Sequence, residues 1–187
     1  MRVLEGTAAV DDLDAFVAAL GDVGDAHDCV VQAFDARYVA DREHLATALR
    51  YAARAHRRGD AIARDPAVET LLYAAGRRQI DRALEMGVDE GVHDVAVVVA
   101  SDFPEDPTTE SDAERYCASA VTDLLDVVVD RNAGNGDDDA TDGVGFAATD
   151  PGRVREFFDV GDAELAATDA TLAALVRERV VLLSIDH

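Results

Sequence analysis

The sequence predicts an α/β protein of the α+β type: a single domain whose sheet of about four strands, mixed or antiparallel, is packed with about six helices. Three observations support this fold class. The 187 residues are enough for one domain with its own core. Apolar residues make up 49% of the chain, which is typical of a globular protein. Short β-branched runs alternate with segments of helical periodicity, and pairs of helices separate the strands.

The predicted strands are short apolar runs rich in β-branched residues. The third is ambiguous, because Asp65 followed by Pro66 is also typical of a helix start. Periodicity cannot separate a strand from a helix over so few residues. We expect a strand there, ended by Gly76. The four predicted strands cover residues 2–10, 29–34, 68–74 and 93–101.

The predicted helices follow from apolar residues three or four positions apart and from residues that cap helix ends. Gly21 and Gly24 end the first helix, and Asp41 and Gly59 bound the second. Residues 131–152 are rich in Gly and Asp, and they predict a flexible loop. The six predicted helices span residues 12–20, 42–58, 78–86, 111–129, 151–159 and 169–183.

The chain is strongly acidic. It has 39 acidic residues against 17 basic ones, all of them arginine, and its net charge is −22. Such a charge repels the compact state from itself in dilute buffer, whereas concentrated salt shortens the Debye length to about 3 Å. The composition is similar to that of proteins from the high-salt cytoplasm of halophilic archaea, which explains the acidity without an acidic function. Because no apolar run could span a membrane and no signal peptide is evident, we expect a cytoplasmic protein.

Residue types that carry catalysis form no known pattern in this sequence. The five histidines fall in no Ser/His/Asp or Cys/His motif, and no glycine-rich phosphate-binding loop occurs. Cys29 and Cys117 lie in apolar runs, which favours two buried reduced thiols over a disulfide or a zinc site. We therefore expect no catalytic residue, no metal and no cofactor.

One basic segment, residues 37–82, stands out from the acidic background. It holds ten of the seventeen arginines and six acidic residues, a net charge of +4. The other residues carry seven arginines and 33 acidic side chains, a net charge of −26. Uniform adaptation to salt would not produce this difference in net charge between the segment and the rest of the chain, so the segment indicates an anionic partner. Because counterion release contributes little at high salt, the partner is expected to be a structured RNA with a single-stranded element.

Four of these arginines share one face of the helix at 42–58. Their spacing of i, i+4, i+7 and i+8 gives a continuous stripe beside the apolar face. A solvated face with cations near the helix C-terminus is the alternative. That alternative does not explain why two of the four lack an intrahelical acidic partner, namely Arg50 and Arg54. The stripe consists of Arg50, Arg54, Arg57 and Arg58.

A second basic element follows at Gly76, where a tight turn before a helix would place Arg77, Arg78 and Gln79 beside free backbone N–H groups. Such a helix start, flanked by arginines, is typical of a phosphate-binding corner. Tyr73 lies nearby and is either a platform for a stacked base or an aromatic residue of the core.

The residues around these two elements resemble a known family. The run EHLATALRYAARAHRRGDAIARDPAVETLLYAAGRRQIDRALEMGV, residues 43–88, is similar to the small kinase-binding subunit of the KEOPS complex. Its most specific part is the pattern LLYAAGxRQIxxALExG. The ending ALVRERVVLLSID, residues 174–186, is similar to the family's closing helix. The resemblance covers nearly the whole chain except residues 131–152.

The resemblance implies a non-catalytic subunit of the complex that makes threonylcarbamoyladenosine next to the anticodon of tRNA. Such a subunit binds the atypical kinase/ATPase subunit, and through it the threonylcarbamoyl transferase, and recruits tRNA by the single-stranded 3′ CCA end. The arginine stripe with Arg77 and Arg78 matches the family's basic region. The residues expected to bind tRNA are Arg50, Arg54, Arg57, Arg58, Tyr73, Gly76, Arg77, Arg78 and Gln79.

The closing helix carries an apolar row that is available either to the kinase or to packing against the chain's own sheet: Leu172, Leu175, Val176 and Val180. Two other interpretations of the basic segment stay open. A small-molecule enzyme could bind an anionic substrate at the Gly76–Gln79 corner. Alternatively, the arginines could simply pair with the surrounding acidic residues.

Overall fold

The computed structural model describes residues 1–101, 111–130 and 146–185. These residues form a four-stranded sheet in the order β2-β3-β1-β4, and each neighbouring pair is antiparallel. The α+β fold class is therefore confirmed. The strands are β1 (Arg2–Val10), β2 (Cys29–Asp35), β3 (Gly91–Ser101) and β4 (Val127–Asp130).

The described residues contain eight α-helices, two more than the sequence predicts. Short 3-10 helices cover Ala36–Tyr38 and Leu84–Met86. The α-helices are α1 (Leu13–Ala26), α2 (Arg42–Arg58), α3 (Pro66–Ala75), α4 (Ile80–Ala83), α5 (Asp112–Thr122), α6 (Pro151–Phe157), α7 (Asp162–Ala166) and α8 (Leu172–Leu183). None of them is long and apolar enough to cross a membrane.

The sheet has a core on each face, and β3 contributes to both. Its odd-numbered residues from Val95 to Val99 belong to the same core as α1 and α5, whereas its even-numbered residues from Ala96 to Ala100 belong to the core that contains α2, α3, α6 and α8. Because successive side chains of a strand point to opposite faces, a strand covered on both faces is apolar throughout. This explains the uninterrupted run VAVVVA.

The predicted strand at 68–74 is wrong, because these residues belong to α3. Asp65 Oδ1 accepts from the N–H groups of Ala67 (2.8 Å) and Val68 (3.1 Å), and Pro66 occupies the first turn. Both features favour a helix start. The fourth strand is instead β4, which pairs with β1 where the sequence predicted the last part of a helix over 111–129.

Other boundaries differ for local reasons. α1 continues past Gly21 and Gly24 to Ala26. Gly24 serves close packing of this helix on β2 and does not end the helix: a Cβ there would lie 2.7 Å from the Cys29 carbonyl oxygen. The predicted helix over 78–86 is only α4 and a 3-10 turn. Of the predicted loop, residues 131–145 lie outside the described residues. Its end is structured, since Phe146 is buried and α6 begins at Pro151.

Candidate nucleic-acid interface

Helix α2 presents the arginine stripe because its opposite face is completely buried. Asp41 caps its start by accepting from the His44 N–H at 2.6 Å, and Gly59 ends it in the left-handed region at φ 77°. The buried face is fixed in the core by Leu45, Ala48, Leu49 and Ala52. The predicted stripe residues are consequently exposed: Arg50, Arg54, Arg57 and Arg58.

The four arginines of the stripe have different surroundings. Arg50 lies 3.8 Å from the carboxylate of Glu43 and donates to the Thr47 hydroxyl at 3.2 Å. The expectation that Arg50 lacks an intrahelical acidic partner is therefore wrong. Within the described part of the chain, Arg54 and Arg58 make no ion pair. These two cations are thus the best placed to receive an external anion.

Tyr73 is a core residue, only 2% exposed, and its ring stacks on that of Tyr51 with centroids 6.4 Å apart. Its face is therefore not available to a base, and of the two interpretations of Tyr73 the structure supports the core aromatic. Burial raises the pKa of the Tyr73 hydroxyl, and Glu69 raises it further. Arg78 and Arg54 oppose that shift, so both guanidinium groups act on the same phenol.

A small pocket of about 270 Å³ opens between α2 and the end of α8, beside the two stacked tyrosines. No sequence pattern indicates this pocket, because α8 is more than a hundred residues from α2. Its walls combine cations, a carboxylate, hydroxyl groups and aliphatic side chains. The lining residues are Tyr51, Arg54, Ala55, Arg58, Asp60, Tyr73, Val181, Ser184 and Ile185.

Gly76 ends a helix and does not precede one. Its φ is 59°, and its N–H donates to the Tyr73 carbonyl at 3.0 Å, so it is the C-terminal cap of α3. The C-terminal end of a helix carries partial negative charge, which disfavours phosphate. The next helix, α4, has only four residues, and the side chain of its first flanking residue, Gln79, makes no capping hydrogen bond. The prediction of a phosphate-binding corner at a helix start is therefore wrong. The interpretation of Gly76–Gln79 as the anion site of a small-molecule enzyme depended on the same helix start, so it loses its geometric basis.

Arg77 and Arg78 serve different parts of the molecule. Arg77 Nη2 donates to the Phe157 carbonyl oxygen at 2.6 Å, and its guanidinium lies 5.6 Å from the centre of the Phe157 ring. Arg77 therefore ties the end of α3 to α6 and is not an exposed ligand group. Arg78 is exposed and acts electrostatically on Tyr73, which places it with the α2 arginines.

A second arginine cluster, which sequence reasoning missed, surrounds a cavity of about 580 Å³. Arg77 and Arg82 meet Arg153 there, and Arg153 donates to the Tyr38 hydroxyl at 3.0 Å while lying over its ring. Three acidic residues line the same cavity, namely Glu85, Glu156 and Asp159. The local charge is balanced, so this cluster is a weaker anion site than the pocket beside α2.

A comparison with family models gives a match to "Kinase binding protein CGI-121" over residues 17–184. The chain belongs to the CGI-121 family. This confirms the resemblance to the kinase-binding subunit of KEOPS that the motifs of residues 43–88 indicate. A search of curated proteins found no match.

Three of the four α8 residues considered for a kinase interface are core residues of this CGI-121 protein. Leu175, Val176 and Val180 are all buried in the core that α8 shares with α2 and α3. Packing inside the chain's own core, chiefly against α2 and α3, therefore accounts for them, and they are not accessible to a partner. Leu172 is only partly buried and lies at the edge of a groove.

This groove of the CGI-121 chain lies beside the start of α8 and has a volume of about 950 Å³. Its walls come from the start of α2, residues 146–154 and the first turns of α8. In its wall, Arg177 Nη1 donates to Asp41 Oδ2 at 2.6 Å, and the Asp41 side chain is 1% exposed. The lining residues are Ala40, Asp41, Glu43, Phe146, Thr149, Pro151, Val154, Thr171, Leu172, Ala173 and Arg177.

His44 lies next to this ion pair and is wholly enclosed. Burial lowers its pKa to about 4, although its hydrogen bond to Ala74 and the charge of Asp41 oppose the shift. Nδ1 accepts from the Ala40 N–H at 3.3 Å, so Nε2 carries the ring proton and donates to the Ala74 carbonyl at 2.8 Å. The ring is thus a neutral connection between α2 and α3.

Proposed function

We propose that this CGI-121 family protein is a non-catalytic subunit of KEOPS in a high-salt cytoplasm. In this role it binds the atypical kinase/ATPase subunit, and through it the threonylcarbamoyl transferase subunit. It also binds tRNA by the 3′ CCA end and so supports threonylcarbamoyladenosine formation next to the anticodon. Kinase binding is a property of the family, whereas the tRNA role is argued from the chain's own surface.

The observation that carries the tRNA proposal is the pair Arg54 and Arg58, which make no ion pair within the described residues and border the small pocket. In a chain with a net charge of −22, two unneutralised arginines on one helix face favour an anionic ligand. Arg78, close enough to act on Tyr73, adds a third cation to the same surface. Direct arginine contacts persist in concentrated salt better than general attraction to a duplex backbone.

The shape of the surface favours a single-stranded RNA element. A pocket of about 270 Å³ is far too small for a double helix, so only an unpaired part of an RNA could enter it. The 3′ CCA end is the part of tRNA that is unpaired and free to enter such a pocket. Arg50, one turn before Arg54, and Arg57, between the two pocket arginines in sequence, would then contact the phosphates that lead to it.

Equilibrium binding of tRNA in molar potassium chloride tests this proposal. We expect Arg54→Gln and Arg58→Gln each to weaken binding about tenfold, since a hydrogen-bonded charge contact contributes about 1.5–3 kcal/mol. The matched control is Arg115→Gln, because Arg115 is exposed on α5, on the other face of the sheet. Affinity of both pocket variants equal to that of the control would reject the surface.

For the kinase, we propose the groove that includes Leu172. It is concave, it combines apolar and charged walls, and it lies apart from the small pocket at the far end of α8. Leu172→Glu should abolish co-purification with the kinase subunit, provided that circular dichroism shows an intact fold. Val17→Glu, an exposed position on α1, is the control and should bind normally. Normal kinase binding by a folded Leu172→Glu variant would reject the groove.

A further inference from the structure

The only two cysteines of the sequence lie together at the end of α1, on the face of the sheet opposite α2 and α8. Cys29 begins β2, and Cys117 belongs to α5. Cys29 Sγ donates to the His27 carbonyl oxygen at 3.4 Å, and Cys117 Sγ donates to the Val23 carbonyl oxygen at 4.0 Å. These two carbonyl groups are about one helical turn apart, so both sulfur atoms lie beside the same turn.

The contact between the two thiols is direct, because each is a hydrogen-bond partner of the other. α5 packs against both α1 and β2, and Gly24 lets α1 approach β2 closely, since a Cβ there would lie 2.7 Å from the Cys29 carbonyl oxygen. A disulfide requires Cα atoms within about 7 Å and side chains that point towards each other. Two thiols that form a hydrogen bond meet the second condition, and the packing of α5 on β2 favours the first.

The two thiols differ in their access to solvent. Cys29 is partly exposed, whereas Cys117 is completely buried. A reagent dissolved in water can therefore reach Cys29 but not Cys117. Burial raises the pKa of both thiols, that of Cys117 to about 12. Because the thiolate is the nucleophile, both are expected to react slowly. The arrangement is that of an accessible thiol with a second, protected thiol behind it.

We propose that Cys29 and Cys117 form a reversible modification site, at which a low-molecular-weight disulfide oxidises them to an internal disulfide. Cys29, as thiolate, attacks one sulfur of the reagent, which gives a mixed disulfide on Cys29 and releases one reagent thiol. Cys117 then attacks the Cys29 sulfur, so the Cys29–Cys117 bond forms and the second reagent thiol leaves. Two protein thiols are oxidised, and the reagent is reduced to two thiols, which take up the two protons.

The position of the site in the fold predicts what oxidation changes. The new bond would close a loop from β2 to α5 that contains α2, α3 and β3. Cross-linking so long a loop restricts the unfolded chain, so oxidation should stabilise the protein. In reducing compartments disulfides are usually transient, which is why the bond is proposed as reversible.

Oxidised glutathione, added to the folded and reduced protein in molar potassium chloride, tests this proposal. At about pH 8.5 and over hours, wild type should lose the mass of two hydrogen atoms, and peptide mapping should place the bond between Cys29 and Cys117. The thermal midpoint should rise by about 5–10 °C. Excess dithiothreitol should reverse both changes.

Two variants separate the two steps of the reaction. Cys117→Ala keeps the accessible thiol without its partner, so it should accumulate one glutathione per chain. Cys29→Ser should keep its reduced mass, because its remaining thiol is buried. The proposal is overturned if wild type stays reduced, accumulates a glutathione adduct or forms a bond between two chains. A lower thermal midpoint of the oxidised protein would also overturn it, since the bond would then not fit the native fold.

Discussion

The guanidinium of Arg77 donates to the carbonyl oxygen of Phe157 at 2.6 Å and lies over the ring of the same residue. This contact joins the end of α3 to α6 across 80 residues of sequence. Arg78, the next residue, is exposed and belongs to the basic surface beside α2. Two adjacent arginines in one motif therefore have different surroundings: the first contacts α6, and the second is exposed beside the surface proposed to bind tRNA.

Substitution of these neighbours should separate the two roles. Arg77→Gln should lower the free energy of unfolding by about 2 kcal/mol, because it removes a charged hydrogen bond and a cation–π contact. Arg78→Gln should change it less and should weaken tRNA binding instead. Urea denaturation in molar salt and a tRNA-binding assay measure the two effects. Equal destabilisation by both variants would contradict this division.

The pair Asp41–Arg177 should contribute more to stability than a surface pair on the same helix. Arg177→Gln leaves the buried Asp41 carboxylate without its cation, and we expect a loss of about 3 kcal/mol. Arg179 pairs with the half-exposed Glu164, so Arg179→Gln should cost about 0–1 kcal/mol. Denaturant midpoints of the two variants check this order, and a reversed order would show that Asp41 is satisfied without Arg177.

His44 should make the protein less stable as the pH falls. Its pKa is lowered to about 4 in the folded chain from the ordinary value of 6.5, so between these values the unfolded chain binds a proton that the folded chain does not. Stability that is present above pH 6.5 is therefore lost as the pH falls towards 4.

His44→Gln should reduce this loss of stability between about pH 7.5 and about pH 5, a window above the ordinary range of carboxylates. His93→Gln, at the exposed start of β3, is the control and should keep the wild-type slope. The measurement is the urea midpoint at each pH. The same slope in His44→Gln as in wild type would show that other groups cause it.

Two glycines should respond in opposite ways to alanine. Gly76 has a φ of 59°, so Gly76→Ala should cost about 1 kcal/mol or more. Gly21 lies inside α1, and a Cβ there meets nothing within 4 Å, so Gly21→Ala should stabilise the protein by about 0.5–1 kcal/mol. Thermal unfolding compares the two directly, and stabilisation by Gly76→Ala would contradict the assigned backbone conformation.

Much of the fold follows from local sequence. The run at 93–101 is apolar enough for a strand buried on both faces, and Asp41 and Gly59 mark the ends of α2 correctly. The prediction of a strand at 68–74 was wrong because a short apolar run is compatible with either a strand or a helix, although the Asp65-Pro66 start favoured the helix. β4 could not be predicted, since its four residues are a strand only by pairing with β1.

The candidate site could be predicted only in part, because some of its residues meet through contacts that are distant in sequence. The helical spacing of Arg54 and Arg58 places both on one exposed face, and the structure agrees. Asp60 and Ile185 join them only through the packing of α2 against α8, which no local pattern encodes. The separation of Arg77 from Arg78 depends on the left-handed turn at Gly76 and on contact with α6.

The most direct test of tRNA recruitment by the small pocket is the affinity of the wild-type protein for tRNA with and without its 3′ CCA, measured in molar potassium chloride. Removing the single-stranded end should weaken binding at least about tenfold, because the proposed contacts of Arg54 and Arg58 would be lost together. Equal affinity for the two tRNAs would contradict recognition of the 3′ end by this protein.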